Sequence, residues 1–299
     1  MEAIMSICDV KIAISNVLLA TDFSEESAQA AECAQSLAEN YNAHVHVVNV
    51  MDLFPFSLRN DDEEATARVE QIKATANQRM KEFVCSYRLQ GKKFDTAFIS
   101  GEPYAAIEAF TREHGINLIV LGSRGDVGLR RLFEGSVVEE IFRTALCPVM
   151  VVGPKARMRE GMFNHLLFAT DMGRVSRAAV PYLEFLLSTN TAAKVIVAHF
   201  LEKEESNVYT RHQLRRMREG ELTELLGPEF RSQIADVAVE ACSPADGMLT
   251  MAEELAADLL ILGVRSGGSF TRAATHAPLS IAPRVIAEAL CPVLTVRAT

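Results

Sequence analysis

The chain has 299 residues, of which 49% are hydrophobic, 23% charged and 7% aromatic, the balance of a globular protein with an ample aliphatic interior and room for two ordinary domains. Its formal net charge is -9 and neither half carries a basic excess, which disfavours DNA, RNA or an acidic membrane as partner, because phosphate neutralisation dominates such binding. The six cysteines form no C-x-x-C pair and do not cluster with histidines, so a zinc or disulfide framework has little support and reduced, mostly buried thiols are expected.

Read from the start, Met1 to Ile14 carries Glu2 and Asp9 within a short apolar mix, unlike the basic start and continuous apolar stretch of a signal peptide. No apolar run reaches the ~18 residues of a membrane span, so a soluble, cytoplasmic chain without membrane insertion is expected. Apolar runs then alternate with segments of helical period, the signature of a parallel sheet covered by helices. Strands are predicted at Asn16 to Ala20, His44 to Val50, Phe94 to Ile99, Leu118 to Leu121 and Pro148 to Val152. The first helix is signalled by Ser24 as N-cap, Glu25 and Glu26 in the first turn, and Ala31, Ala34, Ala38 and Tyr41 along one face. A longer helix carries Val69, Ile72, Ala76, Met80, Phe83 and Tyr87 at three- and four-residue steps, with Asp61 to Glu64 read as its solvated start. His44 and His46 share a strand face, but with no third ligand in view they read as sheet residues and no metal site is assigned.

The chain repeats itself, and repeats decide a fold before any local detail does. The run VLLATD (Val17 to Asp22) recurs as LLFATD (Leu166 to Asp171), NLIVLG (Asn117 to Gly122) as DLLILG (Asp258 to Gly263), and TALCPVMVV (Thr144 to Val152) as EALCPVLTV (Glu288 to Val296), with Pro103 matched by Pro244. Strands in the second copy are accordingly predicted near His165 to Ala169, Val195 to Phe200, Val237 to Ala241, Leu259 to Leu262 and Pro292 to Val296. Pro181 requires that its helix start near Val180 or bend there. Gly153 to Gly161 is short, polar and Pro-containing, which suits a linker between the copies.

After the fourth strand comes Gly122-Ser-Arg-Gly125, then nine residues, then Gly135-Ser136 and a helical pattern. Phosphate oxygens need several close donors, and backbone N–H groups supply them only where no Cβ blocks the approach. Gly135 and Ser136 also stand at a helix N-terminus, where free N–H groups and the helix dipole favour an anion. Arg124, Arg130 and Arg131 add positive charge nearby. In doubly wound sheets ligands bind beyond the carboxyl ends of the strands, where this loop and Asp22 both lie. Asp22 can accept from ribose hydroxyls there; its plainer role is that of a turn or cap residue before Ser24. The loop lacks the G-K-[ST] of a Walker motif and does not follow the first strand as a Rossmann fingerprint would.

On these residues the chain resembles the universal stress protein (UspA-like) family, whose ATP-binding members carry G-x2-G-x9-G-[ST]. Gly122, Gly125, Gly135 and Ser136 match that pattern without a gap, and the resemblance covers nearly the whole chain as a tandem pair. It implies an α/β fold of two tandem open parallel five-stranded sheets with helices on both faces, Rossmann-like and of the HUP type. It implies a domain at 1–154 with the ATP-binding motif intact and one at 162–299 with the motif degenerate. The last strands of the two would pair and cover exposed edges; a homodimer of the whole chain is also compatible with it. The implied ligand is ATP or another adenine nucleotide, normally accompanied by Mg2+. The implied ATP site is Ala20, Thr21, Asp22, Val50, Leu121, Gly122, Arg124, Gly125, Gly135, Ser136, Val137 and Val138, with Thr21 and Asp22 at the nucleoside, Val50 near adenine, and phosphates against Gly122, Arg124, Gly125 and Gly135 to Val138.

The second copy departs from the pattern. Aligned on its Cys-Pro end, Gly135 falls on Leu279 and Ser136 on Ser280; the loop is longer, and Pro278 and Pro283 stiffen it while Gly267 and Gly268 lose register. Weak or absent ATP binding is expected there, with another polar ligand near Asp171, Arg265, Thr275 and His276 as the alternative. The implied role is stress response or signalling through nucleotide-dependent contacts. Rival readings are a slow or autophosphorylating ATPase with Ser136 as phosphoacceptor, for which the loop offers no convincing general base beyond Asp126, and a structural pseudo-dimer.

Overall fold

A computed structural model describes residues 12–51, 63–123, 137–159, 161, 163–201, 211–265 and 281–298. In the first copy β1 (Asn16–Ala20), β2 (His44–Met51), β3 (Phe94–Ser100), β4 (Leu118–Gly122) and β5 (Val149–Val152) alternate with α1 (Glu25–Asn40), α2 (Glu63–Ser86), α3 (Pro103–Glu113) and α4 (Val137–Thr144). In the second, β6 (His165–Ala169), β7 (Lys194–Leu201), β8 (Ile234–Ala241), β9 (Leu259–Val264) and β10 (Val293–Arg297) alternate with α5 (Arg174–Arg177), α6 (Val180–Thr189), α7 (Arg211–Thr223), α8 (Pro244–Glu254) and α9 (Ile281–Glu288).

The two expected sheets are halves of one ten-stranded sheet, ordered β3-β2-β1-β4-β5-β10-β9-β6-β7-β8. Within each half every pairing is parallel; only β5 and β10 pair antiparallel, with Val293 opposite Val151 and Thr295 opposite Val149. The pairing of last strands therefore forms as the family resemblance implied, and it hides two edges that would otherwise offer unpaired N–H and C=O groups. Thr295, 1% exposed, donates its hydroxyl to the Val149 carbonyl at 2.9 Å, which satisfies a polar side chain at the centre of the seam. Each strand beyond a Cys-Pro pair begins one residue after its proline, which has no N–H for the ladder; the Pro148 and Pro292 carbonyls still accept, from Ile119 and Leu260.

Burial on both faces follows from period-2 alternation in buried strands. Val17 and Leu19 face a core with Ala30, Ala34 and Leu37 of α1 and Met80 and Phe83 of α2, while Leu18 faces Ile107, Phe110 and Ile141 on the opposite side. Ser24 caps α1 by accepting from the Ser27 N–H, as its sequence position requires. Helix α2 begins at Glu63 and Glu64 is exposed; Asp61 and Asp62 lie outside the described residues. Pro181 sits in the first turn of α6, which starts at Val180. The described cysteines are free thiols; burial pushes those of Cys33 and Cys291 up to about 12, whereas Cys85 is exposed. No helix among the described residues is long and apolar enough to cross a membrane.

One equivalent pair differs in charge. Asn117 Oδ1 accepts from the Ser15 and Asn16 N–H groups, both at 3.1 Å, and so ties the start of β4 to the start of β1. Asp258 does the same in the second copy, accepting from Asn164 at 2.9 Å and His165 at 3.0 Å. Burial pushes its carboxyl above the usual range despite those bonds and the nearby His165 and Arg159 charges. A raised carboxyl favours the native state while protonated, and that contribution is lost as pH rises through the native pKa. Asp258→Asn, which imitates Asn117, is expected to raise the thermal midpoint at neutral pH. The gain should shrink as pH falls below the carboxylate range; thermal unfolding across pH checks both signs.

Candidate functional site

At the end of β1 the chain leaves the sheet through Thr21 and Asp22. The Thr21 N–H donates to the Val48 carbonyl at 2.9 Å, and the Asn49 amide donates to the Thr21 carbonyl at 2.8 Å, so both backbone groups are held by β2. Phe23 then turns with φ 62°, a left-handed conformation rare for a residue with a side chain, and its N–H donates to Thr21 Oγ1 at 2.9 Å. Arg79 of α2 closes over this turn, donating to the Phe23 carbonyl at 3.0 Å with its guanidinium 5.1 Å from the ring centroid. Asp22 Oδ1 accepts from the Ser24 N–H at 3.0 Å, from the Ser24 hydroxyl, and from the Ser27 hydroxyl at 2.9 Å. The carboxylate thus performs the turn-and-cap role and is fixed in place at the mouth of the sheet.

Strand β4 lies directly beside β1, with Leu121 opposite Ala20, and ends at Gly122. A Cβ on Gly122 would meet the Glu26 carbonyl oxygen at 2.3 Å, so glycine here lets the first turn of α1 lie against the end of β4. That requirement is separate from the phosphate approach for which the glycine was singled out. Beyond it, buried Ser123 donates its N–H to Val152 at 2.9 Å. Chain connections run from β1 toward β2 on one side and from β4 toward β5 on the other, so the β1/β4 pair is the topological switch point, the place where doubly wound sheets bind ligands.

Of the expected site residues, the structure brings Ala20, Thr21, Asp22, Leu121 and Gly122 together at this point. Leu121 is core, 4% exposed; Ala20, Val50 and Val138 are half-buried against the core on the α3/α4 face, and Val137 at the start of α4 is exposed. Arg124, Gly125, Gly135 and Ser136 lie outside the described residues, as do Arg130, Arg131 and Asp126. Sequence reasoning missed Asn49, Ser27 and Phe23. Asn49, 8% exposed near the end of β2, was findable as a buried polar residue that must have a partner.

The second copy repeats the turn. Met172 has φ 58° and donates to Thr170 Oγ1 at 2.9 Å, Ser176 donates to Asp171 at 2.7 Å, and a Cβ on Gly263 would meet the Val175 carbonyl oxygen at 2.4 Å. His199 takes the place of Asn49, its Nδ1–H donating to the Thr170 carbonyl at 2.7 Å. Burial pushes the Asp171 carboxyl up, but hydrogen bonds from Ser176 and the Gly173 amide, helped by the Arg265 charge, hold it below its ordinary range. Thr275 and His276 are outside the described residues. Both switch points therefore share one turn, held by Asn49 in the first copy and His199 in the second, and the loops after the fourth strand differ in sequence.

Fold and turn define a duplicated, doubly wound α/β protein, and comparison with known proteins gives its family. The universal stress protein family matches twice, over residues 13–153 and 162–297, and the chain belongs to that family. A universal stress protein of Methanocaldococcus jannaschii is 31% identical over 136 residues, covering 46% of this chain and 80% of that protein. One from Bacillus subtilis is 28% identical over 155 residues, covering 46% of this chain and 98% of that protein. A universal stress protein structure from Archaeoglobus fulgidus superposes with a TM-score of 0.66 at 21% identity, covering 96% of this chain and all of that one, a likeness of fold.

The close approach at Gly122 yields a stability prediction. Gly122→Ala forces Glu26 and the α1 turn to move and should cost about 1–3 kcal/mol, with Gly263→Ala costing a similar amount in the second copy. Thermal unfolding of the full chain measures both, and an unchanged midpoint for either variant contradicts the packing role.

Proposed function

We propose that the chain binds an adenine nucleotide, ATP in the first instance, at the first-copy switch point, with residues 1–154 as the binding domain and 162–299 as its degenerate partner. The observation that carries this reading is the location of the glycine-rich segment. It springs from the end of β4, beside the rigid Thr21-Asp22 turn of β1, where doubly wound sheets hold their ligands. The donor set suits such a ligand. Half-buried Ala20, Val50 and Val138 offer an apolar ledge for the base, Asp22 a carboxylate for ribose, and Gly125, Gly135, Ser136 and Arg124 the amide, hydroxyl and guanidinium donors that a phosphate chain requires. Mg2+ would enter with the phosphates, neutralising part of their charge.

Shared turn geometry in the two copies means that Asp22 alone does not select the nucleotide. Selection rests with the loop, where the second copy sets Leu279 in place of Gly135 and so puts a side chain where the main chain should approach phosphate. Occupancy would act in a cytoplasmic stress response or in signalling by changing contacts of the chain, homodimerisation included. Labelled ATP incubated with purified full-length protein tests this. Stoichiometric retention without rapid turnover is expected, and Gly135→Asp, which adds bulk and negative charge, should abolish it. Rapid multiple turnover would favour an enzyme, and no retention a scaffold; retention by the variant would overturn the placement of the phosphates.

A further inference from the structure

We propose that His44, His46 and Asp95 bind a divalent first-row transition ion of the zinc class, at the end of the sheet opposite the nucleotide crevice. His44 opens β2 and His46 follows two residues later on the same face, the face that packs against α3. Sheet register supplies the ligand missing from the linear sequence: His46 pairs with Asp95 on the outer strand β3. His44 Nε2 lies 2.7 Å from Asp95 Oδ2, the two imidazole centroids are 4.7 Å apart, and one ligand atom from each of the three residues lies within 4.8 Å of the others. A tetrahedral ion with bonds of about 2.0–2.1 Å needs its ligand atoms about 3.3 Å apart, a spacing that small side-chain rotations reach.

Neighbours hold His46 in place. Its ring meets Phe110 edge-on at 5.7 Å and His114 at 5.4 Å, and His114 stacks on Phe110 at 3.8 Å with Nδ1 3.2 Å from the Phe110 carbonyl. Burial lowers the His46 pKa, the His44 and His114 imidazoles lower it further, and Asp95 opposes them less strongly. The Asp95 side chain is 66% exposed, which leaves an open path for the ion and a coordination position for water.

Duplication provides an internal control. In the second copy the register places Lys194 where the first has His44, Ile196 where it has His46, and Asp236 where it has Asp95. Leu255 caps α8 where His114 caps α3. The same sheet corner thus forms without an imidazole at any of these three positions, although His165 stands opposite Lys194 at the start of β6, so the three histidines are not a demand of the fold. Two imidazoles and a carboxylate together favour zinc, copper or nickel over magnesium or calcium, which prefer oxygen.

The test is titration of metal-stripped full-length protein with Zn2+ in competition with a chromophoric chelator, followed by Co2+ as a spectroscopic substitute. One equivalent of zinc is expected, with a visible Co2+ spectrum of nitrogen and oxygen ligation. The double change His44→Lys with His46→Ile installs residues that the second copy already accommodates, and Asp95→Asn removes the carboxylate alone. Each should weaken zinc binding by about 100-fold or more, since even outer-shell changes cost 10–100-fold. Circular dichroism and ATP retention should be unchanged in both. Zinc no tighter than the chelator competes for, binding that survives both variants, or a thiolate charge-transfer band that places Co2+ on a cysteine such as exposed Cys85, would each overturn the proposal.

Discussion

The architecture depends on one approach of backbone to backbone, that of the first turn of α1 against the end of β4. At Gly122 a Cβ would stand 2.3 Å from the Glu26 carbonyl oxygen, and at Gly263 the corresponding distance to Val175 is 2.4 Å. Only a residue without a side chain lets helix and strand end meet there. This contact sets the direction in which the chain leaves β1, and with it the position of the Asp22 turn beside the loop that follows β4. Retention of glycine at 263, in a copy that has lost the rest of the glycine pattern, follows from the packing requirement and needs no ligand.

Duplication then divides the work. The two copies share a sheet, two continuous cores and the seam between β5 and β10, so neither presents its last strand as an open edge. They also share the Thr-Asp turn with its left-handed third residue and serine partner, although Asn49 and His199 hold it by different chemistry. With the framework duplicated, the loops are free to diverge. The proposal of a single nucleotide site joined to a structurally similar partner rests on this asymmetry.

Much of this was legible in the sequence because the strands are short, buried on both faces and bounded by turn residues. The β1 and β6 boundaries match their predicted ranges, and the other strands extend theirs by a residue or two, start one residue after a proline or, in β8, start three residues early at Ile234. Periodicity describes a single element, so what lay hidden was contact between elements. The spacing of His44 and His46 gave a shared face, but Asp95, 51 residues beyond His44, reaches them only through β2–β3 register. Likewise, Gly122 was read as a phosphate residue because nothing in its local sequence says that α1 comes back to lie against it. Asp22 carried two readings from the start, and its hydrogen bonds establish the capping one while leaving the carboxylate at the crevice mouth.

Photoaffinity labelling with an azido-adenine nucleotide, followed by peptide mapping of the intact chain, addresses the central claim most directly. The account predicts labelling of first-copy peptides that contain the Val50 and Val138 strand and helix ends, suppressed by excess ATP. Labelling confined to the second copy, around Asp171 and Arg265, or distributed equally between the copies, would contradict it.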